Sequence, residues 1–159
     1  MQVKRIKEGG ADGGQRVFAV VFQTGDDPIA GLKAVARDEG LAASSLTAIG
    51  AFRRGVLGFF DFDRKDYHRI PVEEQCEVVS LIGNVTAGPD GPGLHLHAVL
   101  GRRDGQAVAG HLLEAEVHPT LEVMLTESPA HLVRRKDAET GLPLLAPSDP
   151  EAPDPKAAS

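Results

Sequence analysis

The 159-residue sequence has no tryptophan, one tyrosine and one cysteine. A single thiol, Cys76, excludes an intrachain disulfide, so this is not a small secreted fold stapled by bridges. Aromatic residues are scarce and six of them are Phe, which leaves Val, Leu, Ile, Ala and Phe to build the core. No apolar run approaches the roughly 20 residues that a membrane helix needs. The amino-terminal stretch MQVKRIKEGGADGG has basic residues but no apolar segment behind them, so no secretory signal is expected and the cytoplasm is the default location. Positive charge is also short: 17 Lys and Arg against 23 Asp and Glu give a net charge of −6. An acidic chain repels phosphate backbones, which penalises generic nucleic-acid binding. No phosphate-cradling loop is present, because the glycine-rich GPDGPG at 88–93 lacks the lysine and the following helix.

What remains is an ordinary soluble composition, 42% hydrophobic, in a chain long enough for one domain with its own core. Residues 3–7 suit a short strand. Residues 16–23 (RVFAVVFQ) form a β-branched and aromatic run expected as a central strand. Residues 24–40 give the helix signal. Asp27 is a natural N-cap, Pro28 fits the first position, Ile29, Leu32, Val35 and Ala36 share a face, and Gly40 fits the C-terminal cap.

From Ser45 the chain reads as strands. SLTAIGAF and GVLGFFDF are expected as a hairpin turning at Arg53-Arg54, followed by an exposed strand at 66–70 that Pro71 ends. Residues 76–87 make a long strand in which Gly83 suggests a bulge or a close backbone approach. Two strands at 94–101 and 106–116 flank an Arg-Asp-Gly turn, His118-Pro119-Thr120 breaks the pattern, and 121–126 form a last strand. The expected fold is α+β: a mixed, mainly antiparallel sheet of about seven strands with one or two packed helices. The single domain is expected over 1–142. The acidic segment 143–159, with five prolines, is expected as a disordered tail.

Four of the six histidines fall in the stretch LHLHAVLGRRDGQAVAGHLLEAEVHPTLEVMLTE at 94–127. His95 and His97, two apart on a strand, share a face. A three-residue loop at Arg103, Asp104 and Gly105 sets Arg102 opposite Gln106 and His97 opposite His111. A two-residue Asp104-Gly105 turn would instead set His111 opposite Ala98, on the other face. The three-residue loop is preferred because it gathers the polar residues.

Three neutral imidazoles suit Zn²⁺ or another borderline divalent ion, with a fourth position left open. His95, His97 and His111 are therefore the candidate metal ligands, weighed against a plain polar strand face. Glu114, Glu122 and Asp104 are candidate outer-shell acceptors. His118 is read as a loop residue, and His68 and His131 as solvent-exposed. Cys76 in an apolar strand reads as a buried, inert thiol. The basic groups Arg53-Arg54, Arg102-Arg103 and Arg134-Arg135-Lys136 are scattered, and solvated charge is their ordinary reading.

The motifs L-H-L-H at 94–97, L-G-x-x-D-G at 100–105, G-H-L-L at 110–113 and T-L-E-V at 120–123 resemble the plants-and-prokaryotes conserved (PPC) domain in its stand-alone prokaryotic form. Ile49-Gly50-Ala51 and EVVSLIG at 77–83 support the match, which covers roughly residues 16–127. The resemblance implies a homotrimer with the histidine cluster near a subunit boundary. In plant relatives the domain follows an AT-hook that grips DNA, and prokaryotic members are labelled DNA-binding by that association. This chain has no Arg-Gly-Arg-Pro hook core, and Ala109-Gly110-His111 stands where the family has Gly-Gly-His. The implied function is a trimeric assembly module with a zinc or similar site. Its partners would be other copies of itself and DNA or a DNA-associated protein, with no membrane contact. The alternative is a small metal-dependent enzyme acting at the open coordination position with a nearby glutamate as base.

Overall fold

The computed structural model describes residues 1–9, 14–88, 91–128 and 132–147. Its nine strands and one helix run in the order β1 (Gln2–Lys7), β2 (Val17–Gln23), α1 (Pro28–Asp38), β3 (Ala43–Asp61), β4 (Asp66–Val72), β5 (Cys76–Thr86), β6 (Gly93–Gly101), β7 (Ala107–Glu127), β8 (Leu132–Lys136) and β9 (Pro143–Pro147). Seven strands make one sheet in the order β1-β2-β7-β6-β5-β3-β4, and every pairing in it is antiparallel. An additional β7–β3 pairing runs from Ser44↔Glu127 to Gly58↔His111, so β7, β6, β5 and β3 close on one another. One buried core cluster joins these strands to β2 and α1, with Phe18, Phe22, Phe52, Leu57, Leu81, Leu100 and Leu121 buried.

Helix α1 forms where the spacing placed it. The Asp27 carboxylate accepts from the backbone N–H of Ile29 at 2.8 Å and of Ala30 at 3.1 Å, supplying two otherwise unpaired donors of the first turn. Leu32, Val35 and Ala36 are buried, Ile29 packs against the same cluster, and Lys33, Arg37 and Asp38 face solvent. Gly40 has φ +62°, the left-handed cap geometry.

Several expectations differ from the structure. Arg53-Arg54 is no hairpin: β3 runs unbroken through it, and both side chains meet Glu116 on β7, at 3.3 and 3.1 Å. The bend is taken up by register shifts against β7 on either side of Phe52, which a one-dimensional pattern does not show. His118-Pro119 does not end a strand either, since β7 continues to Glu127. Strand β2 alternates buried and half-buried residues and lies second from the edge, inside only the edge strand β1. Pro71 sits within β4, an edge strand, where its missing N–H removes no interior ladder bond. The segment expected as a tail begins with β9, which pairs with β8, and residues 148–159 lie outside the described residues.

A side-chain clamp ties the start of β2 to the end of β7. Arg16 donates to the Glu127 carboxylate at 2.7 and 2.5 Å. Its hydrogen bonds hold that carboxyl below the usual range. The folded value lies below the unfolded value of about 4.3, so the clamp's contribution is complete above that pH and is lost as pH falls through the lowered folded value. Thermal melts from pH 7 to pH 3 are expected to lose less stability in Glu127→Gln than in the native chain. Parallel acid profiles would count against the clamp.

Candidate metal centre

The Arg103-Asp104-Gly105 loop has the three-residue form. The Arg102 N–H donates to the Gln106 carbonyl at 2.8 Å, and Gly105 has the positive φ, +82°, that closes the turn. The Asp104 carboxylate accepts from the Gln106 N–H at 3.0 Å. That register fixes Gly101↔Ala107 and, further along, His97↔His111. His95 lies two residues back on β6, opposite Asn84 of β5.

The three rings converge. Their centroids are 4.9, 5.2 and 5.5 Å apart, and one ligand nitrogen from each ring lies within 4.8 Å of the others. His95 Nε2 and His97 Nε2 are 3.1 Å apart. Two nitrogens on a tetrahedral zinc at about 2.0–2.1 Å would stand roughly 3.3 Å apart, so this edge already has nearly the spacing a metal asks for.

Burial, with smaller contributions from His95, His97 and Arg134, pushes the His111 imidazole down to about 4. At neutral pH its ring is uncharged, the form that ligates metal. Burial, followed by Arg134 and His97, also lowers His95. His111 Nδ1 is buried without a hydrogen-bond partner among the described residues. A buried nitrogen without a partner on one of three converging imidazoles fits a site that could hold a cation.

The expected outer-shell carboxylates are elsewhere. Glu114 is held by Arg69, Asp104 is tied into the turn, and Glu122 faces Ile49 on β3. What orients the cluster instead is Tyr67 of β4, whose ring stacks on His111 at 4.9 Å and 20°. The sequence contains this tyrosine in an anticipated strand, but the β3–β4 register that carries it over His111 has no sequence signal. Arg134 on β8 is the second residue missed. It lines a cleft of about 600 Å³ with Tyr67, His95, His111, Lys33 and Lys136. No carboxylate is among the described lining residues.

The remaining histidines stay apart. His118 Nδ1 is 3.2 Å from Thr24 Oγ1, His68 is exposed on β4 opposite Phe59, and His131 lies outside the described residues. Cys76 is buried with its Sγ 3.9 Å from the Phe52 carbonyl, and burial pushes the thiol up, away from the reactive thiolate. Arg53 and Arg54 share Glu116, and Arg102 is paired with Glu74 at 2.6 Å, so these basic groups are partly offset by acids. Among the described residues no helix is long and apolar enough to cross a membrane.

A closed antiparallel sheet with one packed helix and a three-histidine face defines a class of small α+β proteins. The chain belongs to one family within it: the model of the Plants and Prokaryotes Conserved (PCC) domain, the PPC domain under its other abbreviation, matches residues 9–129. Among solved structures, a plant- and prokaryote-conserved (PPC) protein of Pyrococcus horikoshii is 30% identical with a TM-score of 0.78, over 84% of this chain and 93% of that one. A metal-containing protein of Archaeoglobus fulgidus is 32% identical with a TM-score of 0.76, over 92% and 99%. A protein of Bacteroides thetaiotaomicron named "putative DNA binding protein" is 26% identical with a TM-score of 0.78, over 91% and 96%. No curated protein matches the chain.

Proposed function

We propose that this protein is a homotrimeric assembly module carrying one divalent metal, zinc first, on His95, His97 and His111, and that it works in a DNA-associated or regulatory complex. The convergence of the three imidazoles around the partnerless His111 nitrogen carries the metal reading. A similar structure is named a metal-containing protein, which supports it. Self-association is supported by an apolar stripe on the outer sheet face. Ile82 and Met124 flank Thr47 in register and Ile49 follows two residues along, with exposures of 54, 44 and 62%. Exposed apolar area of this kind marks interfaces. The DNA association rests on similar structures named "putative DNA binding protein". A role through protein contacts fits the net charge of −6 better than direct DNA contact.

The test is metal content and mass in solution. The native protein is expected to hold one zinc per chain at three times the chain mass. His97→Ala is expected to bind zinc more than about 100-fold more weakly, since even outer-shell losses reach 10–100-fold. Metal-free native protein after zinc reconstitution would overturn the metal site. A monomeric sedimentation coefficient would overturn the trimer. Duplex DNA is expected to leave the protein's electrophoretic mobility unchanged when no partner is added.

A further inference from the structure

Arg134 is a half-buried cation without a counter-charge among the described residues. Its Nε donates to Thr86 Oγ1 at 3.0 Å, one terminal nitrogen donates to the Pro143 carbonyl at 2.9 Å, and the other donates to Asn84 Oδ1. All three acceptors are neutral, and a guanidinium has five donors. Burial alone works against its charge. Keeping a charge partly desolvated and unpaired is costly, and an anion arriving beside it would offset that cost. Lys33 of α1 and Lys136 of β8 line the same cleft. None of these three cations enters an ion pair among the described residues. Three cations without a carboxylate among the described lining residues, in a chain of net charge −6, are a local inversion of the molecule's overall sign. Leu94, Leu142 and Leu144 supply an apolar wall, and about 600 Å³ is within the usual range for a small-molecule site.

We propose that this cleft binds a small organic oxyanion with an apolar body, its acid group held by Arg134 and Lys136 and its body against Leu94 and Leu142. The guanidinium fork matches the two oxygens of a carboxylate or phosphate ester, and the leucines favour a ligand larger than a bare ion. The inference rests on the metal reading in one respect: with His95 and His111 lining the cleft, the acid group faces the open coordination position.

The experiment titrates hexanoate, phenyl phosphate and inorganic phosphate into zinc-loaded and chelated protein by calorimetry, with zinc content measured separately. Hexanoate or phenyl phosphate is expected to bind at least tenfold more tightly than inorganic phosphate, and which of the two wins assigns carboxylate or phosphate ester. Arg134→Gln is expected to weaken binding about tenfold or more, and Arg134→Lys to recover part of it. Lys136→Gln, an exposed position, carries the same test at several-fold should Arg134→Gln not fold. Arg134-dependent binding that persists after chelation sustains the anion cleft even if the metal reading fails. Stoichiometric zinc with no probe bound overturns the cleft and leaves the metal standing. Equal affinity in native, Arg134→Gln and Lys136→Gln protein also overturns it.

Discussion

Alanine at position 83 is expected to cost the chain its metal without a histidine being touched. A Cβ on Gly83 would stand 2.1 Å from the His95 carbonyl oxygen and 2.7 Å from Leu96 Cδ2. The carbonyl is backbone, so β6 itself has to move, and Gly83 faces Leu96 one residue from His95. Overpacking of this kind costs about 1–3 kcal/mol. On the metal reading, a strand displaced by even ~1 Å misaligns a constellation that needs tighter placement. Zinc content below half of native, in a protein that still melts cooperatively, is the expected result. Gly93→Ala is the control, because its Cβ would meet Thr86 alone, Oγ1 at 3.6 Å and the carbonyl oxygen at 3.8 Å, both ordinary contacts. Full zinc content in Gly83→Ala would show that the two strands are not held in contact there.

The second large effect is on stability alone. Phe52 is fully buried and stands in register with Cys76 on β5 and Val117 on β7, at the bend of β3. Phe52→Ala is expected to cost about 3–5 kcal/mol, because the cavity lies where three strands meet and none can collapse alone. For a chain of this size that is a fall of about 6–20 °C in Tm. A fall under 2 °C in calorimetry would mean that the ring is not a packing element.

Features set by contacts within a few residues were legible in the sequence. Asp27, Pro28 and Gly40 bound the helix because caps act within one turn. The histidine geometry followed from a short loop whose glycine has one good conformation, so the register propagated from Arg103-Asp104-Gly105 to His97↔His111 by counting. Gly83 was readable as a close approach, though not which atom approaches.

Long strands were not legible. Arg53-Arg54 looks like a turn because two adjacent charges rarely share a strand, yet both pair with the one carboxylate of Glu116 on β7, 63 and 62 residues away in sequence. Pro119 looks like a terminator. However, the N–H and C=O of Val117 bond to the loop at Asp26 and Gly25, at 3.1 and 2.9 Å, so the ladder is already changing partners where the proline sits. Tyr67 and Arg134 reach the site through pairings that no local pattern encodes.

The full-length pairing of β3 with β7 also bears on how the molecule is made. Strand β7 is the shared neighbour of β2, β3 and β6, and it lies near the end of the described chain. During synthesis at about 5–20 residues per second, the edge of β3 waits roughly 3 to 13 seconds, and that of β2 roughly 5 to 21 seconds, for the strand that covers them. Phe18, Phe22 and Leu46 lie on those waiting strands. Through that interval the nascent chain is an open sheet, and the ring closes only when β7 leaves the ribosome.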